Sequence, residues 1–250
     1  MLERALRVAV VDSGINPNHP HVEGVAGGVG LGRGDDDPEP DWNDRLGHGT
    51  AVAAAIKQWA PSIELYAVRV FDRSFSTEID DVVRGLRWCA QSGMDVVNLS
   101  LATLKDTHRS ALETVSREVP VLVAPYDFAG IPAYPGSLDW VFGVSVGRDL
   151  EGDAFAVIQH PNLHFAASPL PRQLDDLPVG QNFSGPSFAT ANFTGHICRL
   201  LLRGDVPDAE ALRTFLTSTS TNETDDSGEH PKESVQKMTA RSLPNRRSSK

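Results

Sequence analysis

Short apolar runs alternate along this chain with stretches of helical periodicity, and that alternation is the tightest constraint on how it folds. The runs cover residues 7–11, 64–70, 94–99, 119–124 and 141–146, and the periodic stretches cover 48–58, 77–91, 107–117, 187–202 and 208–217. In the second of these, Ile79, Val82, Val83, Leu86 and Cys89/Ala90 fall at helical spacing with charges between them. Nearly continuous apolar runs suit strands covered on both faces. Strand–helix–strand order then argues a parallel sheet with right-handed crossovers. The expected fold class is α/β, in three layers, a mostly parallel twisted sheet with helices on both faces. In such sheets sites form at the carboxyl ends of strands, and Asp12 stands at the end of the first run.

The chain's 250 residues allow one sizeable core. One folded domain is expected over 1–221. From about Thr219 Ser, Thr, Asn, Glu and Lys dominate, so 222–250 is expected to be a disordered tail. The net charge of -10 disfavours nucleic acid as a partner. No run of about 18 apolar residues is present, so no membrane partner is expected. Residues 1–7 show no signal-peptide pattern. With only two cysteines, Cys89 and Cys198, the expectation is reduced buried thiols and a cytoplasmic setting.

Three segments carry chemistry. Val8-Ala9-Val10-Val11-Asp12-Ser13-Gly14 ends a strand in an acid. Gly47-His48-Gly49-Thr50 opens a helix with a histidine. Ser184-Gly185-Pro186-Ser187-Phe188-Ala189 opens another with a serine. Singly, each has an ordinary reading: a turn former, a tight turn, an N-cap. Together they place acid, base and nucleophile in the order Asp, His, Ser. A serine hydroxyl needs an imidazole to take its proton, and the imidazole needs a carboxylate to fix its tautomer.

On these residues the chain resembles the subtilisin-like serine peptidases, the subtilases. Asp12, His48 and Ser187 match that family's Asp-Ser/Thr-Gly, Gly-His-Gly-Thr and Gly-Thr-Ser-Met-Ala motifs. The likeness continues through Tyr66-Ala67-Val68-Arg69-Val70, Asp95-Val96-Val97-Asn98-Leu99-Ser100-Leu101, Tyr134-Pro135-Gly136 and Phe165-Ala166-Ala167-Ser168-Pro169, over about residues 7–220. The resemblance implies Asp12, His48 and Ser187 as catalytic residues, with substrate contacts at Ser100, Leu101, Ala102, Ala124 and Pro125. It implies a serine endopeptidase acting on a peptide or protein through an acyl-enzyme. No cofactor is required, although calcium is an option for such proteins.

The chain also departs from the family pattern. Where subtilases place an asparagine that donates to the oxyanion, the matching residue is Asp127, which as a carboxylate cannot donate. Losing one such donor costs about 10²–10³ in turnover. A protonated Asp127, a substitute donor such as Asn182, or low activity are the open answers. Pro186 stands before the serine, and Ala102 and Thr103 replace glycines beside the first specificity pocket. The sequence starts at the first strand without the family's pro-segment, so the expectation is either that a pro-segment was removed or that the protein folds unaided inside the cell. Asp35, Asp36, Asp37, Glu39, Asp41 and Asp44 form an acidic loop before His48: a solvated loop, an unassigned calcium site, or an attractor for basic substrate. The leading expectation is an intracellular precursor-processing peptidase, for example one that removes a leader from a ribosomally made peptide. The alternative is a pseudoprotease that binds peptide without turnover. Acyl transfer to an amine instead of water also remains open.

Overall fold

The structure, a computed structural model, describes residues 4–31, 41–160, 162–175, 181–206 and 208–218, and the backbone of 235–239. In chain order the strands are β1 (Arg7–Asp12), β2 (Gly27–Gly30), β3 (Glu64–Arg69), β4 (Val96–Leu99), β5 (Val121–Pro125), β6 (Asp127–Phe128), β7 (Ile131–Pro132), β8 (Phe142–Val146), β9 (Ala154–Ile158), β10 (His164–Ala167) and β11 (Val235–Thr239). The helices are α1 (His48–Trp59), α2 (Ile79–Gln91), α3 (Arg109–Ser116), α4 (Pro186–Arg203) and α5 (Ala209–Ser218), and a 3₁₀ turn (Asp106–His108) leads into α3.

One sheet runs in the order β11-β9-β10-β8-β5-β4-β1-β3-β2, with β6 and β7 forming a separate hairpin. Strands β2, β3, β1, β4, β5, β8 and β10 are parallel, and β9 and β11 run antiparallel at one edge. Alternation along the strands divides the core, because successive side chains point to opposite faces. Val8 and Val10 of β1 join Val121 and Val123 of β5 in the cluster that α1 and α4 cover. Ala9 and Val11 join Leu122 and Ala124 in the cluster that α2 and α3 cover. This is the expected α/β fold in three layers.

Four segments differ from the sequence expectation. Residues 27–30, within a stretch read as a Gly-, Pro- and acid-rich loop, form β2. The glycines carry no apolar pattern but let the chain close on β3, since a Cβ on Gly28 would lie 2.3 Å from the Ala67 carbonyl oxygen. The β6–β7 hairpin turns through Ala129 and Gly130, both at positive φ. Strand β9, not expected from sequence, crosses antiparallel to β10, with Phe165 opposite Val157. The tail expected to be disordered contains β11, whose backbone extends the sheet beyond β9. It uses a strand edge that would otherwise lack hydrogen-bond partners. The remainder of 222–250 lies outside the described residues.

Cys89 on α2 and Cys198 on α4 are free and fully buried on opposite sides of the sheet. Burial pushes both thiols far up, which keeps them protonated. Among the described residues, no helix is long and apolar enough to cross a membrane.

Helices α1 and α4 pack against each other over the sheet, and Trp59 donates from Nε1 to Asn192 Oδ1 at 2.9 Å across their contact. Asn192 in turn donates to the Ser168 and Leu170 carbonyls, 2.9 Å each, and so fastens α4 to the chain leaving β10. His196 lies deep in this layer against Trp59 and Phe155. Burial, aided by the Arg199 guanidinium, pushes its imidazole down to about 3. The unfolded ring binds a proton near 6.5 and the folded ring does not, so this group's contribution to stability is lost as pH falls from 6.5 toward 3. Urea unfolding at pH 4–7 is expected to show stability declining on the acid side, with up to about 1.4 kcal/mol per pH unit from this ring. His196→Leu should flatten that decline, and an unchanged slope would assign acid sensitivity to other groups.

Candidate active site

Sheet register brings the site residues into one row. Val10 lies opposite Asn98, and Asn98 opposite Val123. Two residues further on, Asp12, Ser100 and Pro125 leave the carboxyl ends of adjacent strands side by side. Asp12 is fully buried, and both its oxygens meet His48 Nδ1, at 2.8 and 2.9 Å. The Ser13 N–H also donates to Asp12 Oδ1 at 2.7 Å. Pairing at Nδ1 leaves Nε2 as the ring nitrogen free to exchange a proton with a reactant.

Helix α1 must start very close to the end of β1 for this pairing. A Cβ on Gly49 would lie 2.2 Å from the Gly14 carbonyl oxygen and 3.2 Å from Asp12 Cβ, so only glycine admits the approach. Asp44 then holds the junction. Its Oδ1 accepts from the Ser13 hydroxyl (2.8 Å) and from the N–H groups of Leu46 (2.9 Å) and Gly47 (2.8 Å). Its Oδ2 accepts from the Thr50 N–H (2.8 Å) and hydroxyl (2.5 Å). The Ser13 hydroxyl also accepts the Gly49 N–H at 2.9 Å. Gly47 itself has no side chain to cap α1, and the more distant Asp44 does that work.

Asp44 was expected only as one member of an acidic loop. Of that loop, Asp35, Asp36, Asp37 and Glu39 lie outside the described residues. Asp41 pairs with Arg45, and Arg45 pairs with Asp72. The buried Arg69 guanidinium donates to the Asp41 carbonyl at 2.8 and 3.0 Å and to Asp72 at 3.0 Å. The described acids of this loop are thus spent on bracing it, and no group of three or more metal-binding side chains occurs among the described residues.

Three aromatic rings stand edge-on around His48: Phe75 at 5.3 Å, Phe188 at 5.4 Å and Phe183 at 5.6 Å between centroids. They leave the His48 side chain 13% exposed. Burial alone would lower its affinity for a proton. The Asp12 hydrogen bond and charge, with a contribution from Asp44, outweigh burial, so the His48 pKa is raised. Periodicity offered no signal for Phe75 or Phe183, which are exposed loop residues.

Ser187 opens α4 beside Phe188, and its backbone N–H lies in the helix's first turn, where no partner inside the helix is available. Its hydroxyl donates to the Ser100 carbonyl at 3.2 Å. Among the described contacts no hydrogen bond joins Ser187 to His48. A buried chain supports Ser100 from below: Asn98 Nδ2 donates to Ser100 Oγ at 2.7 Å, and Thr194 Oγ1 lies 2.9 Å from Asn98 Oδ1.

The structure places the remaining expected residues as follows. Leu101 and Ala102 line a cavity of ≈ 270 Å³ of mixed character, with Phe71, Phe75, Lys105 and His108. The Thr103 backbone exchanges two 2.9 Å hydrogen bonds with Tyr134. Ala124 packs in the core cluster under α2 and α3, and Pro125 is buried at the carboxyl end of β5. Asp127 Oδ1 accepts the Gly130 N–H at 3.0 Å and shapes the β6–β7 turn. Asn182 Oδ1 accepts the Phe183 N–H at 2.8 Å, and the residue lines a second cavity beyond Phe183. No hydrogen bond joins Asp127 or Asn182 to Ser187 among the described contacts.

A model of the subtilase family matches residues 3–127, half of the chain. The chain belongs to the subtilase family. Subtilisin Savinase of Lederbergia lenta is 38% identical over 146 residues, 52% of this chain and 51% of that protein. Subtilisin E of Bacillus subtilis (strain 168) is 36% identical over 119 residues, 44% of this chain and 30% of that protein. The chain thus spans about half or less of the length of these curated relatives. Among solved structures, a cold adapted subtilisin-like serine proteinase superposes with a TM-score of 0.66 at 22% identity, over 88% of this chain and 84% of that one. The nisin leader peptidase NisP from Lactococcus lactis gives a TM-score of 0.63 at 18% identity, over 88% and 83%. These two show the shared fold.

Two outcomes follow from the Asp12–His48–Asp44 arrangement. Asp12→Asn removes the charge that raises the His48 pKa and leaves burial, so the imidazole should titrate at lower pH, read by NMR of the ring protons. Asp44→Ala strands several N–H donors at the α1 junction and should cost about 2 kcal/mol in urea unfolding. An unchanged midpoint would remove Asp44 from the role given it here.

Proposed function

We propose that this chain is a serine endopeptidase that hydrolyses a peptide or protein through Asp12, His48 and Ser187. The observation that carries the reading is the buried Asp12 carboxylate clasping His48 Nδ1 with both oxygens, while Ser187 begins a helix whose next residue, Phe188, packs on the same imidazole. A binding module has no use for a carboxylate that fixes a histidine tautomer.

In this reading, substrate pairs with the Ser100 segment and its N–H takes the Ser100 carbonyl. That displaces the Ser187 hydroxyl, which turns about χ1 toward His48. Oγ attacks the scissile carbonyl as Nε2 takes its proton, and Asp12 stabilises the imidazolium. His48 returns the proton to the departing amine. Water, deprotonated by the same ring, then releases the acyl group. The Ser187 N–H, at the positive end of α4, faces the developing oxyanion.

We place the enzyme inside the cell, without a required cofactor, as a dedicated processor of a precursor. The shared fold with proteins titled a lanthipeptide protease and a nisin leader peptidase supports the processing role. A second reading, a peptide-binding pseudoprotease, is favoured by one pair of observations: Asp127 is engaged with Gly130, and Ser187 rests on Ser100 instead of His48.

A fluorophosphonate probe separates the two. The wild type is expected to label at Ser187 and Ser187→Ala not to label. A wild type that never labels, yet binds peptide stoichiometrically, would establish the second reading. Asn in place of Asp127 can keep its oxygen on Gly130 and offer an amide N–H. Asp127→Asn should therefore raise kcat by up to about 10²-fold on a peptide substrate. No rise would show that this position lies away from the oxyanion.

A further inference from the structure

We propose that the cavity beyond Phe183 binds a carboxylate carried by the leaving-group half of the substrate. The proposal rests on the endopeptidase reading for the direction of the substrate and on the cavity's own chemistry for the ligand.

Two cavities flank His48. One contains Leu101 and Ala102, on the segment along which the acyl half would run, and Phe75, which packs on His48. The other, ≈ 340 Å³, contains Gly47, which precedes His48, and Phe183, whose ring also packs on the imidazole. A chain crossing the site from the Ser100 segment past His48, which hands its proton to the departing amine, meets this second cavity next.

Among the described residues, its walls carry one cation, Arg172, and several hydrogen-bonding groups. Arg172, His19 and His21 line it, with the amides of Asn16 and Asn182. Among the described contacts Arg172 makes one weak hydrogen bond, 3.4 Å to the His21 carbonyl, and no ion pair. A guanidinium has five N–H donors in a planar fork that suits a carboxylate. His19 Nδ1 accepts the His21 N–H at 3.2 Å, so Nε2 carries the proton of the neutral ring and is a donor. His21 Nδ1 is buried and has no partner among the described residues. Among the described residues, Asp44 is the acid lining the cavity, and both its oxygens already accept hydrogen bonds at the α1 junction. Asp175 lies near enough to His21 to influence it, but it does not line the cavity. Arg172 therefore offers donor capacity beside an acid whose acceptors are already engaged.

The carboxylate has two sources, an Asp or Glu side chain after the scissile bond or the free terminus of a short leaving segment. Fluorescent peptides with a common acyl half distinguish them. Glu, Gln or Lys is placed in turn at each of the three positions after the scissile bond, with the terminus free or amidated. Binding to Ser187→Ala is read by anisotropy, and cleavage by the wild type is read as kcat/KM.

One Glu position is expected to bind about tenfold more tightly than its Gln counterpart, with Lys weakest. If the terminus is the source, amidation should instead cost that tenfold. Arg172→Gln should erase the difference and Arg172→Lys should keep part of it, with thermal melting confirming that both variants fold. Equal binding of Glu, Gln and Lys peptides regardless of the terminus overturns the proposal. So does a preference that survives Arg172→Gln, or a complete lack of peptide binding by Ser187→Ala. Labelling of Ser187 reports separately on the endopeptidase reading.

Discussion

The junction between the end of β1 and the start of α1 is where the rest of the site is decided. Asp12 is anchored by the sheet: it pairs with Arg69 of β3, and the preceding Val11 pairs with Leu99 of β4. His48 is anchored by a helix that packs on α4. Their carboxylate–imidazole contact survives only if helix and strand end within a few ångströms of each other. Gly49 removes the steric obstacle, and Asp44 supplies the attraction by accepting five hydrogen bonds from both elements. One of those donors, the Thr50 N–H, is a first-turn group that helix geometry leaves unpaired, and the Leu46 and Gly47 N–H groups lie just ahead of it. The same carboxylate therefore caps α1, ties it to Ser13 and adds negative charge near His48. A single anionic side chain serves folding and proton affinity together, because both need negative charge at a helix N-terminus.

The aromatic rings act on the same pair. Edge-on contacts from Phe75, Phe183 and Phe188 exclude water from His48 and lower the local dielectric. In that setting an unpaired imidazolium would be costly, whereas one held by Asp12 is stabilised more than it would be in water. The direction of the His48 shift records which effect prevails: proton affinity rises despite burial. His196, buried without an acidic partner, shows the opposite outcome in the same fold.

These elements were unequally legible in the sequence. β1, β3, β4, β5 and β8 are apolar runs, and α1, α2 and α4 show helical spacing, so periodicity alone located them within a few residues. Asp12, His48 and Ser187 were visible because each stands at an element boundary where its chemistry requires it. Asp44 was hidden in a run of acids that read as solvated charge. Its role depends on where its carboxylate points, which spacing does not encode. β2 is hidden because Gly27-Gly28-Val29-Gly30 has no alternation to detect, and β11 because pairing at a sheet edge needs only backbone groups and an available neighbour. At Ala124 strand alternation turns the side chain to the core, which leaves backbone groups as its means of meeting a ligand.

The oxyanion side of the site follows from similar geometry. The matching asparagine position became Asp127, and the hairpin that follows is closed by the Gly130 N–H donating to that carboxylate. A turn with two residues at positive φ gains from an acceptor side chain at its first position, since Asp and Asn both bond backbone two or three residues on. The residue type that tightens this turn is thus free to change without loss of the fold, although the change removes a donor. In the proposed endopeptidase reading, the Ser187 N–H and the field of an 18-residue helix are what is left for an oxyanion. One lost donor would raise the barrier by about 2.7–4 kcal/mol, which would slow acyl transfer without abolishing it. The proposed role in processing one substrate would tolerate such a rate, because contacts remote from the scissile bond can recover transition-state binding. In this chain, the cavity bearing Arg172 is a place where such contacts can form.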